Sequence, residues 1–431
     1  MLTKLFGFNP ASQSVGKEIT AGVTTFLTMS YILFVNPMIL SDAGMDYHAV
    51  ITATALSACF GTLLMAFWVK VPLAMAPGMG LNAFFAYSLV IGEGISWETA
   101  MGVVFISGIF FLLLTWLGIR EKIVNAIPLS LRLAIPAGIG LFITFIGFQN
   151  MELIVTDEAT MIALGNFSSP LAFGLFGILL IAILEAKKIR GSILIGILAT
   201  SAIAMVFGDI SPPGSYISAP PSPLPVAFQL DILSALQWGL IGAIFSFMFV
   251  DLFDSVGTLI ACSYEAGLVE KDGTVRKIDK MLGADAIATL FGSLAGTSTT
   301  TTYIESASGI EEGGRSGLTA FTVAVLFIAA MFVTPVIAAV PAYATAPALV
   351  VVGMFMFKNI TKIPMQHWPD MAAAFLTIIL MPLTYSISMG LTFGFLFWVI
   401  LTAISGRMKD IHPVMWIVAA FSLMNLWVTL G

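Results

Sequence analysis

Apolar stretches of about 20 residues recur along the whole chain, each long enough to cross a hydrocarbon layer as a helix. The pattern predicts spans at Ala21–Leu40, Ala49–Val69, Pro72–Val90, Trp97–Leu117, Ile127–Phe148, Pro170–Ala186 and Ser192–Phe207. A Pro/Ser-rich linker follows, Asp209–Pro225. Then come Leu233–Ala261, a short Gly283–Ala295, the polar stretch Gly296–Gly314, Ser316–Val340, Ala344–Phe357, Met371–Ser386 and Met389–Ile404. A last apolar run, Pro413–Leu430, reads either as an interfacial segment or as one more span.

Two segments break the helical pattern. Pro72, Pro77, Gly78 and Gly80 interrupt the first half of the third and leave Leu81 onward helical. In the tenth, the β-branched run Thr299–Thr302 suits a strand, after which Tyr303-Ile304-Glu305-Ser306-Ala307 starts a helix with Glu305 in its first turn. The same oddity thus occurs once in each half. Pro136 and Pro347 also open the fifth and twelfth spans at matching places. Seven spans per half is an odd number, so the second half is inverted relative to the first. The expected fold is an all-α polytopic membrane protein of fourteen segments. These form two inverted seven-segment repeats, with short β-strands in segments three and ten. Such repeats place a binding site near the midplane, where the broken segments meet.

Composition agrees: 58% of residues are hydrophobic, 10% are charged and the mean hydropathy is +1.01. A soluble domain carries about 25% charged residues. The placement of Lys and Arg says more than the net charge of −6. Lys4, Lys17, Lys70, Arg120, Lys122, Arg132, Lys187, Lys188, Arg190, the basic residues between Lys271 and Lys280, Arg315, Lys358, Lys362, Arg407 and Lys409 fall in alternate loops, and the loops between hold none. The N-terminus is therefore expected to be cytoplasmic, with a break near Tyr385–Gly390. Met1–Thr20 is polar and leads into a full span, so no cleavable signal peptide is expected. Cys59 and Cys262 make no disulfide or metal pattern, and His48, His367 and His412 fall near segment ends. No cofactor motif and no basic nucleic-acid patch is read.

The candidate chemistry is acidic. Glu305 would be a carboxylate beside the positive end of a half-helix, an arrangement suited to a transporter's substrate site. Asp251 and Asp254, three apart in FSFMFVDLFDSVGTLIAC, share one side of the eighth helix. Two carboxylates inside a span are costly unless they face a cavity and exchange protons, so they suit proton coupling. Asn82, at the start of the other half-helix, offers both a donor and an acceptor, or simply caps the broken segment. Phe84, Phe85 and Tyr303 are candidate stacking surfaces. Glu311, Glu312 and Arg315 read as cytoplasmic surface residues.

At these residues the chain resembles the nucleobase–cation symporters of the xanthine/uracil permease superfamily, and more closely the AzgA-like adenine/guanine/hypoxanthine permeases. The matching stretches are TTFLTMSYILFVNP (Thr24–Pro37), APGMGLNAFFAY (Ala76–Tyr87), VDLFDSVGTL (Val250–Leu259), TSTTTTYIESASGIEEGGRSGLTA (Thr297–Ala320) and ILMPLTYSI (Ile379–Ile387). The resemblance implies a uracil-permease-like fold with a core domain (1–126 and 233–342) and a gate domain (127–208 and 343–406). A linker (209–232) and a C-terminal apolar segment (407–431) complete the chain. It implies purine nucleobase uptake by proton symport with elevator-like alternating access, in a homodimer embedded in the bilayer of the bacterial inner membrane. The family's purine-contacting positions fall on Asn82, Asp251 and Glu305, flanked by Thr302 and Ser306, with Gly80 and Phe84 in the same third segment. Asp254 matches a further required acid, so the proton-coupling set is Asp251, Asp254 and Glu305. Some relatives carry a histidine in the eighth segment; this chain has none there, so a histidine relay is not available.

An ionised carboxylate accepts hydrogen bonds and cannot donate. Hypoxanthine and guanine present an N1–H donor, whereas adenine presents a bare N1. Asp251 together with Glu305 therefore favours a 6-oxopurine, with an adenine-preferring permease as the alternative. A same-fold anion exchanger should have a basic or neutral centre, which Asp251, Asp254 and Glu305 oppose. An intramembrane aspartyl protease needs aspartates facing each other about 3 Å apart, and one helix cannot supply that. A passive channel is distinguished from a symporter by its insensitivity to a protonophore.

Overall fold

The computed structural model describes residues 2–118, 126–270 and 275–430. Arg120, Lys122 and Lys271, used above to assign membrane sides, lie outside the described residues. Nine helices among the described residues are long and apolar enough to cross a membrane, and shorter apolar helices occupy Met79–Gly92, Ser192–Val206, Trp368–Leu383 and Pro413–Trp427. The chain is a multi-pass membrane protein.

The two interrupted segments meet in the interior. Strand β1 (Met75–Pro77) pairs antiparallel with β4 (Thr300–Thr302), in the register Met75 to Thr302 and Pro77 to Thr300. All six residues are buried. A two-stranded ribbon inside a membrane leaves backbone groups with no water to satisfy them. Helix side chains close its edges instead. Thr62 Oγ1 accepts from Met75 N at 2.9 Å and donates to Met75 O at 3.0 Å. Asp285 Oδ1 accepts from Thr302 N at 3.2 Å, and Thr289 Oγ1 donates to Thr300 O at 3.2 Å. The expected strands in segments three and ten are therefore present, and they are held by helices Tyr47–Leu63 and Ile278–Ala295.

The first span, expected over Ala21–Leu40, runs Val15–Asp42 and kinks at Ser30–Tyr31, where Val15–Met29 joins Ile32–Asp42. Thr28 Oγ1 and Ser30 Oγ bond back to the preceding turn, and Pro37 has no N–H for Leu33 O, so the ladder weakens between them. The eighth helix starts at Ile241, not Leu233. Asp231 caps a separate turn, Ile232–Ala235, by accepting from Ser234 N at 3.0 Å. The loop between Asn150 and Ser169 carries a hairpin, β2 (Ile154–Asp157) with β3 (Met161–Leu164). Its turn is set by Asp157 Oδ1, which accepts from Ala159 N and Thr160 N, both at 2.9 Å.

Elsewhere the predicted punctuation holds. A break falls at Tyr385, whose φ is +55°, between Trp368–Leu383 and Ile387–Ile404. The final run is a helix, Pro413–Leu430.

The helices sort into two packed groups. Leu129–Asn150 packs on Ala342–Phe357 and Trp368–Leu383, with Ser169–Ala186, Ser192–Val206 and Ile387–Ile404 around them. Val15–Met29, Tyr47–Leu63, Trp97–Trp116, Ile278–Ala295 and Gly317–Ala330 form the other group. Glu18, fully buried, ties the two ends of the second group. Its carboxylate accepts from Arg315 N, Ser316 N and Thr319 Oγ1, and so caps the Gly317–Ala330 helix. In the first group two backbones meet at Gly140 and Gly353, where a Cβ at Gly140 would lie 2.6 Å from Gly353 O. A Cβ at Gly353 would collide with Gly140 O and Thr144 Oγ1. Small residues permit such backbone contact between membrane helices. Gly353→Ala should therefore destabilise the detergent-solubilised protein by about 1–3 kcal/mol, the usual cost of overpacking. An unchanged melting temperature would refute this contact.

Candidate functional site

The first residue after the β1–β4 ribbon that combines charge with partial exposure is Glu305. It is the N-cap residue of Ser306–Glu311, not part of the helix's first turn. That helix has six residues, too short for much macrodipole. What holds the carboxylate is a side chain: Tyr31 O–H donates to Glu305 Oε1 at 2.5 Å. Tyr31 sits at the kink in the first span and is 1% exposed. Its ring lies 6.5 Å from that of Tyr303, and Tyr303 O–H donates to Pro77 O at 2.5 Å. The kinked first span and the two interrupted segments therefore converge on this carboxylate.

Asp254 comes close to the same place. A Cβ on Gly78, at the ribbon's exit, would lie 3.9 Å from Asp254 Oδ2, and the charges facing Asp254 are Asp285 and Glu305. Asp251, one turn earlier, has a different neighbour. It is 2% exposed, and its Oδ2 accepts from Thr289 Oγ1 at 3.4 Å. Both aspartates thus neighbour the Ile278–Ala295 helix, Asp251 at Thr289 and Asp254 at Asp285, and Asp254 also lies beside the ribbon exit.

Asn82 joins the halves of the chain. Its Nδ2 donates to Asn36 Oδ1, and its Oδ1 accepts from Ser298 Oγ. Asn36 Nδ2 in turn donates to Thr54 Oγ1 at 2.7 Å and Thr297 Oγ1 at 2.9 Å. Ser306 Oγ accepts from Ala74 N at 3.0 Å. Phe84 stacks on Phe247 with centroids 4.6 Å apart. Thr302 Oγ1 is buried with no hydrogen-bond partner among the described residues. Asn82, Phe84 and Ser306 are 0% exposed and Thr302 is 2% exposed. Among the sequence-predicted positions, Gly80, Asp254 and Glu305 retain partial exposure. Gly80 is pressed by Ile139 of the Leu129–Asn150 helix, whose Cγ2 would lie 2.6 Å from a Cβ there.

Sequence reasoning missed two residues at this centre. Asp285 is fully buried and accepts from Thr302 N and from Ser255 Oγ, tying the ribbon to the Asp254 helix. The signal was present: a carboxylate inside an apolar helical run is a site candidate by default. Tyr31 lies inside the Thr24–Pro37 stretch, but its partner Glu305 is set by how the helices dock, which the apolar pattern does not show.

The family model Xan_ur_permease, the Permease family, matches residues 16–393. The chain belongs to the xanthine/uracil permease family. Adenine permease AdeP of Escherichia coli is 40% identical over 427 residues, covering 99% of this permease and 96% of AdeP. Guanine/hypoxanthine permease PbuG of Bacillus subtilis is 42% identical over 423 residues, covering 95% of this permease and 96% of PbuG. These relatives are permeases, not enzymes, and the resemblance read from the motifs stands. The permease also shares its fold with the transmembrane domain of the cyanobacterial bicarbonate transporter BicA. The TM-score is 0.63 at 15% identity, covering 96% of this chain and 97% of that one. At that identity the likeness speaks for the fold alone.

Proposed function

We propose that this permease imports purine nucleobases by proton symport across the plasma membrane, with its N-terminus in the cytoplasm. The observation that carries the reading is the Glu305 carboxylate. It is seated where the interrupted segments meet, with Tyr31 donating to Oε1. An ionised carboxylate so placed accepts from a ring N–H. Support for a purine comes from the adenine and guanine/hypoxanthine permeases at 40–42% identity.

Glu305 receives the nucleobase, and Gly80 gives it close approach to the third segment. Asn82, Ser306, Thr302 and Phe84 shape the pocket around it. Asp254, beside Glu305 and Asp285, carries the coupled proton, and Asp251 supports that relay from the Thr289 side. The helix group containing Glu305 acts as the core, and the group around Leu129–Asn150 acts as the gate. The core slides past the gate in an elevator-like step within a homodimer. Contact of Ile139 with Gly80 is where the two groups meet at the site.

Hypoxanthine and guanine are favoured, because they present N1–H to acceptors. The 40% identity to AdeP over nearly the whole chain favours adenine as the second reading. Radiolabelled hypoxanthine uptake in cells lacking their own purine carriers tests this. Uptake should collapse with a protonophore, and unlabelled guanine should compete better than adenine. Adenine outcompeting both 6-oxopurines would reverse the preference. Uptake indifferent to the protonophore would remove the symport.

A further inference from the structure

The Tyr31 hydroxyl is a neutral donor placed on one oxygen of the Glu305 carboxylate. We infer that Tyr31 sets which 6-oxopurine the permease prefers, by taking one prong of the Glu305 fork. This rests on the purine reading above and adds a selectivity residue to it.

A carboxylate has two oxygens side by side, and its strongest partners offer two parallel N–H donors. Guanine offers such a pair on one edge, N1–H and the 2-amino group. Hypoxanthine offers N1–H alone. With Tyr31 on Oε1 at 2.5 Å, one prong of the fork already holds a donor. The 2-amino group of guanine then has to share an oxygen that Tyr31 already engages, so guanine gains little over hypoxanthine.

Tyr31 is held firmly in this position. It is 1% exposed, it stands at the Ser30–Tyr31 kink, and its ring lies beside Tyr303, whose own hydroxyl is fixed on Pro77 O. The hydroxyl therefore cannot swing aside when guanine arrives without repacking a buried aromatic.

Tyr31→Phe removes the hydroxyl and keeps the ring. It frees Oε1, and guanine gains one hydrogen bond to a charged acceptor that hypoxanthine does not. One such bond corresponds to roughly tenfold in relative affinity. The experiment is competition of unlabelled guanine and hypoxanthine against labelled hypoxanthine uptake, in wild type and Tyr31→Phe, normalised to protein in the membrane. The ratio of the guanine to the hypoxanthine half-inhibitory concentration should fall roughly tenfold in the variant. A residue that only supports the fold would weaken both purines together and leave the ratio unchanged; that result overturns the inference while leaving purine transport intact. Absence of competition by any purine in wild type overturns the purine reading itself, and the inference with it. Where Tyr31→Phe is too poorly produced for uptake, Tyr31→Met and purified protein serve, with ligand-induced thermal shifts by guanine and hypoxanthine read against the same ratio.

Discussion

Glu305→Gln is expected to abolish high-affinity purine uptake while the protein stays in the membrane in normal amount. Gln has the same length and keeps one carbonyl oxygen, so Tyr31 retains an acceptor and the local packing survives. The other carboxylate oxygen becomes an NH2. A donor then faces a donor. The charge-assisted bond, about 1.5–3 kcal/mol, is lost, and the facing donors are left unpaired at a further 1–3 kcal/mol or so. Together these correspond to a loss of affinity of about 100-fold or more. The measurement is the KM for labelled hypoxanthine beside membrane abundance by immunoblot. A normal KM in Glu305→Gln would remove Glu305 from the site.

Asp254→Asn should separate transport from its driving force. Asn is nearly isosteric and fits beside Gly78, but it carries no exchangeable charge. In proteoliposomes, purine counterflow down its own gradient should persist. Accumulation driven by an imposed pH gradient should fall to the equilibrium level. For one proton per purine, each pH unit is worth 1.36 kcal/mol, or about tenfold accumulation in wild type. Acid-driven accumulation that survives in Asp254→Asn would exclude this residue as the proton carrier. Loss of counterflow as well would place Asp254 in substrate binding instead.

Much of this centre is visible as punctuation in the chain. Pro77 and Gly78 end a strand that the Thr299–Thr302 run can pair with, and an antiparallel ribbon is the cheapest way to satisfy extended backbone at membrane depth. The matching prolines, Pro136 and Pro347, lie inside helices that pack on each other. The partners of the site residues are less visible. Asn82 reads equally as a ligand or a cap, and its side chain is engaged by Asn36 and Ser298. Asp251 and Asp254 look equivalent on a helical wheel, yet Asp254 lies beside the ribbon exit at Gly78 and Asp251 beside Thr289. The hairpin between Asn150 and Ser169 is not visible in the sequence, because strands of four residues leave almost no periodicity.

By itself, the order of apolar and polar residues determined that the chain is a polytopic membrane protein with two interrupted segments and acidic residues beside them. Burial in lipid writes itself into sequence, since each span must be apolar over its full length and every exception stands out. Only the tertiary structure decided which exceptions meet. Tyr31 reaches Glu305 across 274 positions, and Ser298 reaches Asn82 across 216. Contacts at such separations are set by how whole helices dock, and no local pattern encodes that docking.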